Sequence, residues 1–584
     1  MVTFDVETNA LKIRDVTKIH CCAVSDGTNT VLYKDSKEWL QVLEDADVLI
    51  GHNIIQYDIP AIQQLYPTFK PKGKVVDTLI LCRMLYPDIL DRDFKKKWEG
   101  MPIQLYGRHS LEAYGFRLGY TKRHAGLEDF SVLTDELAER CICDVELNRK
   151  LWARLQPKAD DIPCAVDLEM RFAQLIALQE RSGFGFNVQG ALELEAEINQ
   201  QLNTLGERLR QRFPFVDGGF FTPKRDNKTR GYVGGAAMCR LTDLNPNSRD
   251  HVAWVLQTLL EWKPEEFTKE GKPKVDETVL SKIPGAEDFV SHFTLQKRLG
   301  QLSTGNNAWL KLVESDNRIH GSVITVGCAT ARCSHVNPNM AQVPAVRSAL
   351  GPECRALFGP GLLGGGRSTK QVGVDLSGIE ARCLAHYLWP FDDGKFADEV
   401  LNGDIHTANQ KAAGLATRDQ AKTFFYALMY GAGAEKLGLI TGQDGAKLKR
   451  KYFRNMPALA SLSKRVVAKA EDEGFVKGLD GRRIMIRSSH SALNFLLQSA
   501  GAIISKLWYN TCYDEITAEG FTYGVDWSFL AHVHDEVQFA VAGERAEELG
   551  LIAVGSSRLA GDALGLRIAI DSEYKIGDNW AECH

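Results

Sequence analysis

Apolar positions in the first 157 residues follow two rhythms. The runs VTFDVET, IHCCAVSD and DVLIGHN predict strands, and IPAIQQLY and DTLILCRMLY predict helices. Their mixture predicts an α/β domain. Segments 167–182 and 188–212 then carry apolar residues at helical spacing, as does DHVAWVLQTLLEW, which Ser248 is placed to cap. Between these helices, 213–247 contains TPKRDNKTRGYVGG, basic and glycine-bearing. It predicts a mobile loop, equally suited to touching phosphate and to being a solvated linker. Strands return from about 311 in RIHGSVITVG and QVGVDLSGIEARCLA. The intervening GPGLLGGGRSTK predicts a turn, because the G-K-[ST] of a phosphate cradle is missing. The expected fold class is α/β and α+β in a multidomain chain.

One run breaks its own pattern. In LAHVHDEVQFAV, residues 530–541, the polar His532, His534, Asp535 and Glu536 interrupt an apolar strand. Adjacent carboxylates about 4 Å apart repel by roughly 4 kcal/mol at an effective dielectric of 20, so they need water or cations. Either the strand turns outward here or a metal sits there.

Composition narrows the setting. A chain of 584 residues exceeds one core, and 44% hydrophobic with 25% charged residues is a globular balance. No apolar run approaches a membrane span, and the N-terminus opens directly on a strand, so neither membrane nor secretion is expected. Thirteen scattered cysteines without a C-x-x-C pair predict reduced thiols in a cytoplasm and no zinc site of the usual spacing. With a net charge of −5, nucleic-acid binding would rest on local basic patches.

Two constellations carry chemistry. Asp375 ends an apolar strand, and Glu380 and Arg382 open a helix after it. Arg418, Lys422, Tyr426 and Tyr430 recur every fourth residue and share one helix face. Two cations followed by two aromatics complement a polyanionic tail and a flat base, which is what a nucleoside triphosphate presents. Asp535 is a further carboxylate. At the N-terminus, Asp5 and Glu7 lie two apart on a strand and hence on one face, with Asp58 in HNIIQYD and Asp144 in CICDVELN. Four carboxylates are the set that two divalent cations need for phosphodiester hydrolysis.

VDLSGIEAR, RDQAKTFFYALMYG and VHDEV resemble the three polymerase motifs of family A DNA polymerases, the class of bacterial DNA polymerase I. GDIHTANQ, GLDGRR, ALNFLLQSAGAIISKLW and NWAECH are most similar to the replicative enzymes of short-tailed bacteriophages, and the resemblance covers nearly the whole chain. It implies an RNase H-like 3'-5' exonuclease domain (1–157) and a right-hand polymerase. The latter comprises a mostly helical thumb (158–310), a palm in two parts (311–400 and 490–584) and fingers (401–489). Asp375, Asp535 and the carbonyl of Leu376 would hold two magnesium ions, with manganese able to substitute. Arg418, Lys422 and His406 would grip the phosphates, Tyr426 would stack at the incoming nucleotide, and Glu380 would exclude a 2'-hydroxyl. Arg332, Gln498, His534 and Tyr430 would contact DNA. Asp5, Glu7, Asp58 and Asp144 would hold the two exonuclease metals. One departure stands out, Arg140 where the family has a tyrosine four residues before the last aspartate.

The implied partners are primer-template DNA, single-stranded 3' ends and deoxynucleoside triphosphates, with a helicase-primase and a single-stranded DNA-binding protein. Thioredoxin is not expected, because 213–247 is too short for the insertion that captures it in some relatives. The chain is expected to act as a monomer in a bacterial host cytoplasm. The implied function is DNA-templated DNA synthesis with proofreading. The nearest alternative is a repair polymerase with a weakened exonuclease. Glu380 and the exonuclease motifs argue against a single-subunit RNA polymerase, and the retained Asp375, Asp535, Arg418 and Lys422 argue against an inert scaffold.

Overall fold

The computed structural model describes all residues except 35, 36, 121, 125 and 128. The N-terminal part is built on a five-stranded sheet: β1 (Val2–Thr8), β2 (Ile19–Ser25), β3 (Thr30–Tyr33), β4 (Val48–Gly51) and β5 (Lys74–Asp77). The order is β3-β2-β1-β4-β5, antiparallel from β3 to β1 and parallel from β1 to β5. Helix α1 (Asp58–Leu65) follows β4, and the long α2 (Asp135–Asp160) packs across β1 and β2. Phe4, Val6, Leu49, Ile50, Leu147 and Leu151 fill the core between sheet and helices. Strand alternation sends Phe4 and Val6 one way, which leaves Asp5 and Glu7 together on the other face.

Helix α3 (Pro163–Ser182) begins with proline in its first turn, and α4 (Val188–Arg212) is capped by the Asn187 side chain on the Gly190 amide. Within 213–247 two strands pair, Phe215–Phe221 with Met238–Asp243, and the basic TPKRDNKTRGYVGG stretch is the connection between them. Only Val216 of the first strand is buried, so the apolar alternation that marks a strand is absent from its sequence. Ser248 caps the following helix, accepting from the His251 amide.

The C-terminal part is organised around an antiparallel four-stranded sheet. Its strands are β6 (Thr369–Leu376), β7 (Trp527–Val533), β8 (Glu536–Ala542) and β9 (Ser572–Gly577), ordered β7-β8-β6-β9. Helix α5 (Ile379–Asp392) leaves the end of β6, and α6 (Ile405–Ala413), α7 (Arg418–Met429) and the 27-residue α8 (Ala492–Ala518) extend one shared core away from the sheet. Tyr509 on α8 stacks on Phe529 of β7 with ring centroids 3.9 Å apart. All thirteen cysteines are free thiols. Among the described residues no helix is long and apolar enough to cross a membrane.

A buried charge network ties α3 to this part. Glu169 accepts from Arg482 Nη1 (2.6 Å) and from Lys506 Nζ (2.7 and 2.9 Å), Arg482 also holds Asp480, and Lys506 bonds the Thr325 carbonyl. Glu169, Arg482, Asp480 and Lys506 are all buried. Two anions and two cations compensate one another out of water, which a buried charge requires.

Candidate active sites

The break in LAHVHDEVQFAV is a hairpin. Val533 pairs with Glu536, leaving His534 and Asp535 as a two-residue connection, with His534 in the left-handed region at φ 60°. Such a conformation is uncommon for a bulky residue and is held by its surroundings: Ser505 on α8 donates to the His534 carbonyl at 2.6 Å. Because that hydroxyl proton is committed, His532 Nε2 must donate to the same Ser505 oxygen at 2.8 Å. Burial holds the pKa of His532 well below the usual value.

Three members of this polar cluster, His532, His534 and Asp535, line a cleft together with Arg332, Cys333, Glu380 and Lys506. Glu536 is buried, and Trp580 Nε1, Gln538 Nε2 (2.7 Å) and His584 Nδ1 (3.1 Å) approach it while Arg355 lies 3.7 Å away. Burial works against its ionisation, but these partners hold its pKa below the ordinary value. His532 and Glu536, read from the sequence as part of a group facing metal, are each also bonded within the protein, to Ser505 and to Trp580.

Asp375 occupies the penultimate position of β6 and pairs in register with Glu536, while the Leu376 amide donates to the Asp535 carbonyl at 2.9 Å. The neighbouring strand ends thus place two carboxylates at one corner of the sheet. Burial first, and then Asp375, raises the Asp535 carboxyl to about 7. Asp375 keeps a solvent-exposed edge, yet desolvation by the surrounding protein, followed by Glu536, raises it to about 6. Asp375, Glu536 and His584 each bring a ligand-type atom within 4.8 Å of the others.

Helix α7 turns its fourfold repeat away from the core because Ala421, Phe424, Phe425 and Leu428 bury the other face. Arg418 is held by Asp404, through Nε at 2.7 Å and Nη2 at 3.1 Å, and Asp404 also caps α6 through the His406 and Thr407 amides. The Arg418 hydrogen bond keeps the Asp404 carboxyl far below its ordinary range. Lys422 is exposed and has no ion pair among the described residues. The rings of His406 and Tyr426 lie 5.9 Å apart. Tyr430, at the helix end, donates to Glu380 Oε1 at 2.6 Å, and Arg332 Nη2 stands 3.8 Å from the same oxygen. Gln498 donates to Asn494, which in turn bonds the Met429 carbonyl and so ties α8 to the end of α7.

The N-terminal carboxylates converge as well. Asp5, Glu7 and Asp144 offer oxygens within 4.8 Å of one another. Asp58 opens α1, its Oδ1 accepting from the Val6 amide at 3.0 Å. Burial raises all four. Glu7 and Asp58 reach about 7, Asp5 lies well above its ordinary value with Asp58, Asp144 and Glu7 adding to the effect, and Asp144 is raised despite its cations. Those cations are Lys122, 2.7 Å from Asp144 Oδ2, and Arg140, 3.5 Å from Glu7 and 3.9 Å from Asp144. The structure therefore puts Arg140 inside the cluster. Sequence reasoning missed Lys122, Asp404 and His584. GDIH and NWAECH contain the last two, but no spacing pattern links Lys122 to Asp144.

Residues 235–582 match the profile of DNA polymerase family A. The DNA-directed DNA polymerase of Escherichia phage T7 is 35% identical, with 100% of each chain covered, and that of Enterobacteria phage T3 is also 35% identical with 100% of each covered. Among solved structures, the POL domain of Pol1 from M. smegmatis, in complex with DNA primer-template and dNTP, is similar in fold. Its TM-score is 0.75 at 19% identity, covering 100% of this chain and 96% of that one. Profile, full-length relatives and fold agree, and the chain belongs to DNA polymerase family A.

Proposed function

We propose that this family A polymerase is a DNA-templated DNA polymerase with a 3'-5' proofreading exonuclease, acting on primer-template DNA, single-stranded 3' ends and deoxynucleoside triphosphates. The observation that carries the reading is the placement of Asp375 and Asp535 on adjoining strand ends, with Tyr426, from the helix face that also bears Arg418 and Lys422, near enough for the Glu380 and Asp535 charges to act on it. In this reading β6 to β9 form the palm, 401–489 the fingers, 158–310 the thumb, and the five-stranded sheet with α2 the exonuclease domain.

Both carboxylate clusters suit divalent magnesium. Their donors are hard oxygens, their carboxyls are raised by burial and mutual repulsion, and Asp144 Oδ1 is buried with no partner. Asp375, Asp535 and the Leu376 carbonyl would hold the ions of one site; Asp5, Glu7, Asp58 and Asp144 would hold those of the other. When bound, such ions lower the pKa of an attacking hydroxyl or water and neutralise charge on phosphate. The protein's own groups do the rest. Arg418 and Lys422 meet the triphosphate with His406, and Tyr426 offers a face to the base. Glu380, fixed by Tyr430, lies where a sugar would pass. Arg332, Gln498 and His534 line the approach of primer and template.

The test is primer extension with four deoxynucleotides and magnesium, run beside digestion of a single strand without nucleotides. The reading expects both activities. Digestion with no extension would overturn the assignment of the C-terminal site.

A further inference from the structure

Three carboxylates held within 4.8 Å of one another require positive charge even before any metal binds, and the structure supplies it from one side chain above all. Lys122 reaches Asp144 from the segment preceding α2, its Nζ 2.7 Å from Oδ2. The contact is sheltered: the two side chains are only 12% and 7% exposed. Asp144 thereby has one oxygen occupied by an ammonium while Oδ1 remains buried and unpartnered. Arg140 plays a looser part. Its Nε sits 3.5 Å from Glu7 and 3.9 Å from Asp144 without a hydrogen bond to either, and its guanidinium lies over the Phe130 ring at 5.1 Å.

We infer that Lys122 is a positioning residue that acts through Asp144, an internal counter-ion that holds the N-terminal carboxylate cluster assembled without metal and competes with the divalent cation for it. This rests on the exonuclease reading. A cation near 3 Å from a carboxylate lowers the potential available to a second cation, so the site binds metal less tightly than four carboxylates alone would. Digestion would then start only above a threshold of free magnesium.

The experiment uses the full chain carrying Asp375→Asn and Asp535→Asn, so that metal binding reports on the N-terminal cluster. Manganese binding is measured by calorimetry and thermal unfolding is followed in chelator and in manganese, at one fixed pH, for this background and with Lys122→Met or Lys122→Arg added. Lys122→Met is expected to tighten manganese binding about tenfold and to lower the unfolding temperature in chelator, with manganese restoring it. Lys122→Arg, which keeps the charge, should match the background in both. Unchanged or weaker manganese binding in Lys122→Met would overturn the inference, as would an unfolding temperature in chelator that does not move. Single-strand digestion by the unmodified chain and by Asp5→Asn separates the two layers. If the unmodified chain does not digest, the exonuclease reading fails. If it digests, Asp5→Asn does not, and Lys122→Met binds manganese like the background, only the role of Lys122 fails.

Discussion

Selection of the sugar should depend on a hydrogen bond outside Glu380 itself. Tyr430 Oη donates to Glu380 Oε1 at 2.6 Å, and Arg332, the cation paired with that oxygen among the described residues, stands 3.8 Å away, too distant for a hydrogen bond. A bond to a charged acceptor contributes roughly 1.5–3 kcal/mol, and the half-open position of Tyr430 favours the lower end. Tyr430→Phe should therefore loosen Glu380 by about 1.5 kcal/mol, close to tenfold. The assay is single-nucleotide incorporation, comparing kcat/KM for each deoxynucleotide with its ribonucleotide. Tyr430→Phe is expected to lower the deoxy-to-ribo ratio about tenfold, and Glu380→Ala to lower it further. The double variant should equal Glu380→Ala alone, because Tyr430 acts through the carboxylate. Additive losses in the double variant, or an unchanged ratio in Tyr430→Phe, would refute the reasoning.

Other outcomes follow from the same geometry. Asp535→Asn should abolish extension while leaving single-strand digestion intact, and loss of both would point to a folding defect. Arg140→Tyr should digest faster than the natural chain at low magnesium, the gap closing as metal rises; equal rates at low metal would place Arg140 outside the site. Between about pH 4 and 7 the folded, metal-free protein keeps protons on Asp375, Asp535, Glu7 and Asp58 that the unfolded chain has already lost. Their contribution to stability therefore falls as pH rises through that window, and urea unfolding in chelator should show it, with magnesium removing the slope. The hairpin at 215–243 leaves Lys224, Arg225, Lys228 and Arg230 without ion pairs among the described residues. Replacing these four by glutamine should shorten extension products and flatten their dependence on salt, whereas added thioredoxin should not lengthen products of the natural chain.

Local pattern carried far where the physics is local. The bounds of β1 and α4 follow the apolar rhythm of VTFDVET and of 188–212, and the four-residue repeat placed Arg418, Lys422 and Tyr426 on one face because a helix turns at 3.6 residues. The turn at His534 and Asp535 was legible too. What lay on either side of it was not. His532 and Glu536 read as charged interruptions, but their partners Ser505, Trp580, Arg355 and His584 come from distant segments that only the folded chain brings together. Lys122 escaped for the same reason. The two strands that flank the basic connection in 213–247 were hidden differently: pairing with most side chains in solvent needs no apolar alternation.

The Glu169 network decides where this chain can be divided. The family match begins at residue 235, which suggests that synthesis could be isolated on a fragment starting near there. Such a fragment would lack Glu169, the ion-pair partner of Lys506, and would leave Arg482 with Asp480 alone, both cations being sealed inside the remaining protein. Breaking a buried pair of this kind costs about 3–5 kcal/mol, against a typical domain stability of about 5–15 kcal/mol. A usable N-terminal cut therefore has to keep α3 whole, and since that helix also lends Ala165, Val166, Met170, Ala173 and Ala177 to the N-terminal core, it is a shared beam that neither half can give up without loss.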